Sequence, residues 1–291
     1  MLELSGIWIP LVTPLRDGAV DLPALARLVR QLAAEGVAGF VPCGSTGEAA
    51  MLSADEQDAV VAAVLDAAGP LPVLAGLSGV RPDAVAARAV AIATRMPGVA
   101  GFLLAPLAYV RPPQAGIEAF YREVADASPR PLVVYDVPSR TGVRIEPATL
   151  HRLAAHPNIV GVKDCSGDRA AAEAVCADGR LALLCGNDDE LFDQLARGAA
   201  GGIVASAHVA TGAFVALHGD IAAGRMAEAR ARWQRLAPLA RVLFAEPNPM
   251  PLKGVLARQG RIGDELRAPL LPAAPATVDA ALSRLEAISR P

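Results

Sequence analysis

Lysine occurs twice in this chain, at positions 163 and 253, although 27 residues are lysine or arginine. Arginine can supply charge and ion pairs almost anywhere, but it stays protonated at any pH near neutrality. Lys163 closes the apolar segment Asn158-Ile159-Val160-Gly161-Val162-Lys163-Asp164. A lysine kept at the end of a buried strand, in a chain that otherwise uses arginine, points to chemistry that needs a free amine. Desolvation lowers the pKa of such an amine and makes it a nucleophile toward carbonyl compounds. The plainer alternative is a lysine that lays its stem along the strand end and its ammonium in water.

Two further segments carry groups that suit such an amine. Gly44-Ser45-Thr46-Gly47-Glu48 offers successive backbone N–H groups and two hydroxyls, a nest for a carboxylate or phosphate. Taken alone, a cluster of this composition also reads as an ordinary turn. Tyr135-Asp136-Val137-Pro138-Ser139-Arg140-Thr141-Gly142 sets a tyrosine before an arginine on a proline-stiffened loop, a proton donor beside an anion clamp. Tyr109, on the loop spanning 107–113, is a fourth candidate.

Something must bring these segments together. Apolar runs rich in Val, Ile and Leu fall at 6–12, 37–42, 71–75, 100–105, 131–136, 158–163, 180–185 and 201–205. Each is long enough for one strand, and between them lie stretches of helical period. Ser53-Ala54-Asp55-Glu56 has the form of a capping box, and Pro82-Asp83 that of a helix first turn. Eight strand–helix repeats predict a parallel sheet closed into a (β/α)8 TIM barrel. The open doubly wound sheet is the competitor, but no G-x-G-x-x-G follows the first run. After residue 205 only helices are expected, at 211–223, 225–244, 251–259 and 277–289, with a proline-rich break at 245–251. The predicted organisation is a catalytic barrel over 1–223 and a C-terminal helical segment over 224–291. In such a barrel the site lies at the C-terminal ends of the strands, where the nest, the tyrosine loop and Lys163 all fall.

Composition narrows the function. The 291 residues are 53% hydrophobic and only 4% aromatic, so the core is built from small and aliphatic side chains. A net charge of −3 and a pI near 5.8 give no footprint for nucleic acid. Cys43, Cys165, Cys176 and Cys185 show neither a C-x-x-C nor metal-ligand spacing, which fits small core residues in a reducing cytoplasm. Cys165, two residues past Lys163, is also weighed as a reactive thiol. The N-terminus lacks the pattern of a signal peptide. Residues 198–219 carry no Asp, Glu, Lys or Arg, but their glycines, histidines and hydroxyls read as a buried strand and helix, not as a membrane span.

The three motifs, in this order and at this spacing, resemble the signature of the dihydrodipicolinate synthase/N-acetylneuraminate lyase superfamily. The resemblance runs from about Gly6 to the Asn248-Pro249-Met250-Pro251-Leu252-Lys253 segment. It implies class I aldolase chemistry: Lys163 forms a Schiff base with pyruvate, and C3 then loses a proton to give an enamine. Ser45, Tyr109 and Tyr135 match the family's proton relay, with Tyr109 reaching into a neighbouring subunit of a homotetramer or homodimer. Thr46 and the backbone around it match the pyruvate-carboxylate site. Gly44, Gly47, Arg140 and Ile203 complete the expected substrate-binding set. Ser139-Arg140-Thr141-Gly142 is similar to the synthase branch, in which the arginine holds the carboxylate of L-aspartate-4-semialdehyde on the way to 4-hydroxy-tetrahydrodipicolinate. No metal or organic cofactor is implied.

Some residues depart from the family pattern. Ser45 stands where threonine is usual, Asp136 where asparagine is usual, and Leu107-Ala108 replaces a more polar segment. Asp136 is expected to alter the charge near the semialdehyde pocket. The positions matching the family's lysine-feedback site are Ala49, Ala54, Gln57, Val80, Ala84 and Ala108, which leaves a free amino acid few partners. Two other readings compete with the synthase: a related pyruvate-dependent aldolase or lyase acting on a sugar acid or hydroxy-keto acid, and a non-catalytic barrel that binds small acids. His151, His156, His208 and His218 take structural roles in this reading, Lys253 helps to fix a helix start, and Glu48 braces or orients its loop.

Overall fold

Each apolar run is rich in β-branched and aliphatic residues and stops at glycine, proline or a polar turn, which is what a strand buried on both faces requires. A computed structural model of the chain describes residues 2–105 and 109–289. Strands β1 (Gly6–Ile9), β2 (Gly39–Phe40), β3 (Leu74–Leu77), β4 (Gly101–Leu104), β5 (Leu132–Asp136), β6 (Ile159–Asp164), β7 (Ala182–Cys185) and β8 (Gly201–Ile203) form one 8-stranded sheet. Its order is β2-β1-β8-β7-β6-β5-β4-β3, with parallel neighbours throughout. The ends meet through a parallel bridge between Phe40 and Val73 and a bond from the Gly76 N–H to the Pro42 carbonyl at 2.9 Å, which closes the barrel.

Helices α1 (Leu22–Ala34), α2 (Ala54–Ala68), α3 (Pro82–Arg95), α4 (Gln114–Ala127), α5 (Pro147–Leu153), α6 (Arg169–Asp178), α7 (Leu191–Ala196) and α8 (Thr211–Ala222) follow the eight strands in turn. The capping box at Ser53 forms as expected, Ser53 and Glu56 each accepting from the other's backbone N–H. Three more helices complete the chain, α9 (Met226–Leu243), α10 (Met250–Arg258) and α11 (Pro275–Ser289). They share a small core of their own at Leu239, Leu243, Val255, Val278 and Ala281.

The sheet has two apolar faces. Ile9, Phe40, Phe102 and Val134 point outward against helix residues such as Leu28, Val61 and Phe120. Trp8, Val41, Leu103, Val133, Leu184 and Ile203 point inward and fill the barrel. Along β5 the alternation places Val133 and Tyr135 inside and Val134 outside.

Two local features depart from the expectation. The third run, read as 71–75, forms its strand at Leu74–Leu77, because Pro72 has no N–H to give to a ladder and regular pairing begins beyond it. A short antiparallel hairpin, Leu15–Arg16 with Ala19–Val20, was not foreseen. Its turn is Asp17-Gly18, both at positive φ (52° and 78°), the conformation that matches the twist of a two-residue hairpin.

Candidate active site

One extra residue decides which way Lys163 points. Leu132 pairs with Ile159, but Val133 pairs with Gly161, so Val160 is unpaired and β6 carries a bulge. Because side chains alternate with period two, one inserted residue moves everything after it to the other face. The bulge brings Lys163 into register with Tyr135, both side chains facing the barrel mouth. The Lys163 Nζ lies 4.4 Å from the centroid of the Tyr135 ring. The Tyr135 hydroxyl is 4.0 Å from the Cys165 sulfur. Gly186, just past β7, leaves the amine its room, since a Cβ there would lie 2.8 Å from Lys163 Cε and collide with Cys165 Sγ.

The two groups around the amine are held neutral. Burial pushes the Tyr135 phenol above its ordinary range and the Cys165 thiol up to about 11. The thiol is therefore protonated near neutral pH, and the reactive-thiol reading of Cys165 does not hold. Lys163 itself departs from expectation. Burial presses it toward the neutral amine, whereas ionised Tyr135, Cys165 and Asp188 favour the ammonium; with the phenol and the thiol protonated near neutral pH, Asp188 alone opposes burial there.

Asp188, at the foot of the same cavity, escaped sequence reasoning. It is buried and accepts from the Ala205 N–H at 3.2 Å and the Ser206 N–H at 2.5 Å. Burial raises its pKa against those hydrogen bonds and the nearby Lys163. Asp188 comes from a run of acidic residues that gives no period or motif to mark one of them as buried.

The loop after β2 is built as a nest. Its own turns consume the Gly47 N–H on the Gly44 carbonyl and the Glu48 N–H on the Ser45 carbonyl, each at 3.1 Å. Among the described residues no protein acceptor takes the N–H of Ser45 or Thr46, and both residues line the cavity with Gly44. The Thr46 hydroxyl accepts from Asn248 Nδ2 at 2.8 Å, which leaves its own proton free to donate. Asn248 stands in the proline-rich break and lines the cavity too, a contribution the sequence reading did not assign.

One helical turn, Pro138–Thr141, follows β5 and presents Arg140, exposed, to the same cavity. Gly142 ends the turn at φ 74°, the left-handed geometry that glycine takes without a Cβ clash. Ile203 is fully buried and forms part of the apolar floor. The cavity these residues surround is ≈ 360 Å³.

The structure thus gathers Lys163, Tyr135, Ser45, Thr46, Gly44, Arg140 and Ile203 around one space. Gly47 lies behind the nest, where a Cβ would come within 2.8 Å of the Leu11 carbonyl. Tyr109 is 95% exposed and is not among the residues that line this cavity. Leu107 and Ala108 lie outside the described residues. Asp136 does not charge the semialdehyde pocket as expected. It faces away from the barrel interior, and both its oxygens accept from the Ile145 N–H at 3.2 Å. Lys253 does more than start a helix: it is completely buried and ion-paired with Glu48 at 2.6 Å. The signal that drew attention to Lys163, lysine in a chain of arginines, applied equally to Lys253.

Known proteins resemble this chain in sequence and fold. The model of the dihydrodipicolinate synthetase family matches residues 3–288. A 4-hydroxy-tetrahydrodipicolinate synthase of Sorangium cellulosum is 40% identical over 297 residues, covering 98% of this chain and 97% of its own. The crystal structure of dihydrodipicolinate synthase from Thermotoga maritima superposes with a TM-score of 0.94 at 31% identity, covering 99% of both chains. The chloride-inhibited dihydrodipicolinate synthase of Acinetobacter baumannii, solved in complex with pyruvate, gives 0.93 at 31% identity over 99% of both. With a barrel, a mouth lysine and a family match that spans nearly its whole length, this chain belongs to the dihydrodipicolinate synthetase family.

Proposed function

We propose that the chain condenses pyruvate with L-aspartate-4-semialdehyde to 4-hydroxy-tetrahydrodipicolinate through a Schiff base on Lys163. The observation that carries this reading is the registration of Lys163 opposite Tyr135, with the free N–H groups of the nest and Arg140 lining the same cavity. Pyruvate enters with its carboxylate on the Ser45 and Thr46 N–H groups and the Thr46 hydroxyl, which sets its C2 carbon before the amine. Tyr135 is the nearest group able to take and return protons as the amine attacks, the carbinolamine loses water and the iminium forms. Loss of a C3 proton gives the enamine, which bonds to the aldehyde carbon of the semialdehyde held by Arg140. The semialdehyde's own amine then displaces Lys163 from C2, closing the ring and freeing the enzyme. One water leaves overall.

Tyr109 and Ser45 are both exposed on a single chain, which supports a relay completed between subunits of a homodimer or homotetramer. The barrel over 1–223 supplies every group that reacts, and the segment over 224–291 covers one side of the mouth through Asn248. No helix among the described residues is long and apolar enough to cross a membrane, and a cytoplasmic location suits the free cysteines. Incubation with pyruvate and borohydride, followed by peptide mapping, tests the mechanism. A reduced adduct on Lys163 is expected, and its absence from folded protein rules the mechanism out. Consumption of pyruvate only when L-aspartate-4-semialdehyde is added then identifies the acceptor.

A further inference from the structure

Behind the nest the chain buries two opposite charges that the reaction does not touch. Lys253 on α10 and Glu48 at the end of the nest loop are both 0% exposed, with Nζ 2.6 Å from Oε1. Lys253 also donates to the Thr13 carbonyl at 2.9 Å. The Thr13 hydroxyl donates to the Gly47 carbonyl at 2.7 Å, and the Arg267 N–H donates to the second Glu48 oxygen at 2.9 Å. Glu48 itself sits at φ 56°, a conformation a side-chain-bearing residue keeps only where its surroundings hold it.

A buried ion pair is a poor device for stability, because desolvating two charges cancels most of their attraction and apolar side chains of equal volume serve as well. What it supplies is directed contact. Apolar surfaces slide past one another, whereas an ammonium shared between one carboxylate and one carbonyl fixes the separation of three segments. Here those segments are α10, the chain after β1, and the loop whose Ser45 and Thr46 N–H groups point at the cavity.

We propose that the Lys253–Glu48 pair is a positioning device for the pyruvate-carboxylate nest. It holds the loop at the height where its free N–H groups meet a carboxylate whose keto carbon faces Lys163. The proposal rests on reading that nest as the pyruvate site. Neither residue touches substrate. They act through Gly47 and Thr46, and α10 belongs to the active site by this route.

The test is the double variant E48Q/K253M, which removes both charges at once and strands neither, with E48Q alone as a milder weakening of the same tether, since Gln keeps a neutral acceptor for Lys253. For the folded double variant the KM for pyruvate is expected to rise about tenfold, with kcat within about threefold and the KM for the semialdehyde within about twofold. Borohydride trapping on Lys163 should fall at a pyruvate concentration that saturates the parent and return at about ten times that concentration. E48Q should move the pyruvate KM the same way by a smaller factor. A purely structural role would instead lower the amount of active enzyme and leave both KM values alone. A pyruvate KM within about twofold of the parent in the folded double variant overturns the proposal, and if that variant does not fold, E48Q decides on the same criterion. Failure of the parent to form any adduct overturns the Schiff-base reading and this proposal with it, whereas an adduct with an unshifted KM overturns the positioning role alone.

Discussion

Lys163 sits beside Asp188, which favours its ammonium form, in a buried setting that favours the amine. The attacking species is the amine, so the pH dependence has a definite sign. Wherever Lys163 rests as an ammonium, the neutral fraction grows about tenfold per pH unit, and pre-steady-state Schiff-base formation should quicken accordingly between pH 6 and 8. A flat rate over that range, read by quenched-flow trapping, would show that the proton leaves before the measured step. Replacing Lys163 with Arg should abolish trapping, since a guanidinium keeps its proton. Arg140→Ala should raise the KM for the semialdehyde by about 10- to 100-fold while pyruvate trapping stays normal. Unchanged semialdehyde kinetics would take Arg140 out of the site. At this scale the sequence was legible where a residue type was scarce, as with lysine, or framed by glycine and proline, as with Ser45 and Arg140. Asp188 and Asn248 were illegible because only the folded chain shows which polar groups turn inward.

Whole elements obeyed their local chemistry. All eight apolar runs became barrel strands, and Ser53 and Pro82 opened helices as their capping patterns require. What the pattern hid was phase. A strand buried on both faces has no alternation to reveal a bulge, so the extra residue at Val160 left no mark although it aims the lysine. The same strand pair holds Asp136. Burial outweighs the Ile145 N–H and lifts its carboxyl from the ordinary 3.8 to about 7. The unfolded chain releases this proton near pH 4 and the folded chain keeps it to near 7, so its contribution to stability falls as pH rises through that window. Asp136→Asn should therefore leave stability unchanged near pH 4 and raise it by roughly 1–3 kcal/mol at pH 8, measured by urea unfolding. Equal stabilities at pH 8 would mean that the buried carboxyl is ionised without cost. His208 has the opposite dependence. Burial lowers its pKa to about 4, so its contribution is lost as pH falls from 6.5 through 4.

The molecule as a whole was readable as a barrel with added helices, but not in how its last quarter meets the first. Residues 248, 253 and 267 bond to residues 46, 48 and 56, contacts more than 200 positions apart that no local pattern encodes. Assembly belongs to this scale as well. If Tyr109 completes a neighbour's relay, specific activity should fall on dilution in step with subunit dissociation followed by analytical ultracentrifugation, and constant activity in dissociated chains would refute the shared relay. Feedback is a second property of the whole molecule. Gln57 spends its amide on the Ala49 and Leu52 carbonyls, and Ala49 and Val80 offer a free amino acid no polar side chain. Free lysine should inhibit weakly or not at all, and half-maximal inhibition at millimolar concentration or below would contradict this.

Both lysines are buried, Lys163 at 6% exposure and Lys253 at 0%. An amine-selective acylating reagent therefore meets no lysine on the outer surface of the folded chain. It can approach Lys163 only through the mouth, where bound pyruvate should protect it. It can reach Lys253 only when α10 swings away from the barrel. Acyl mass accumulating at position 253 would then clock the opening of the C-terminal segment, with no other lysine to add to the signal once pyruvate protects Lys163.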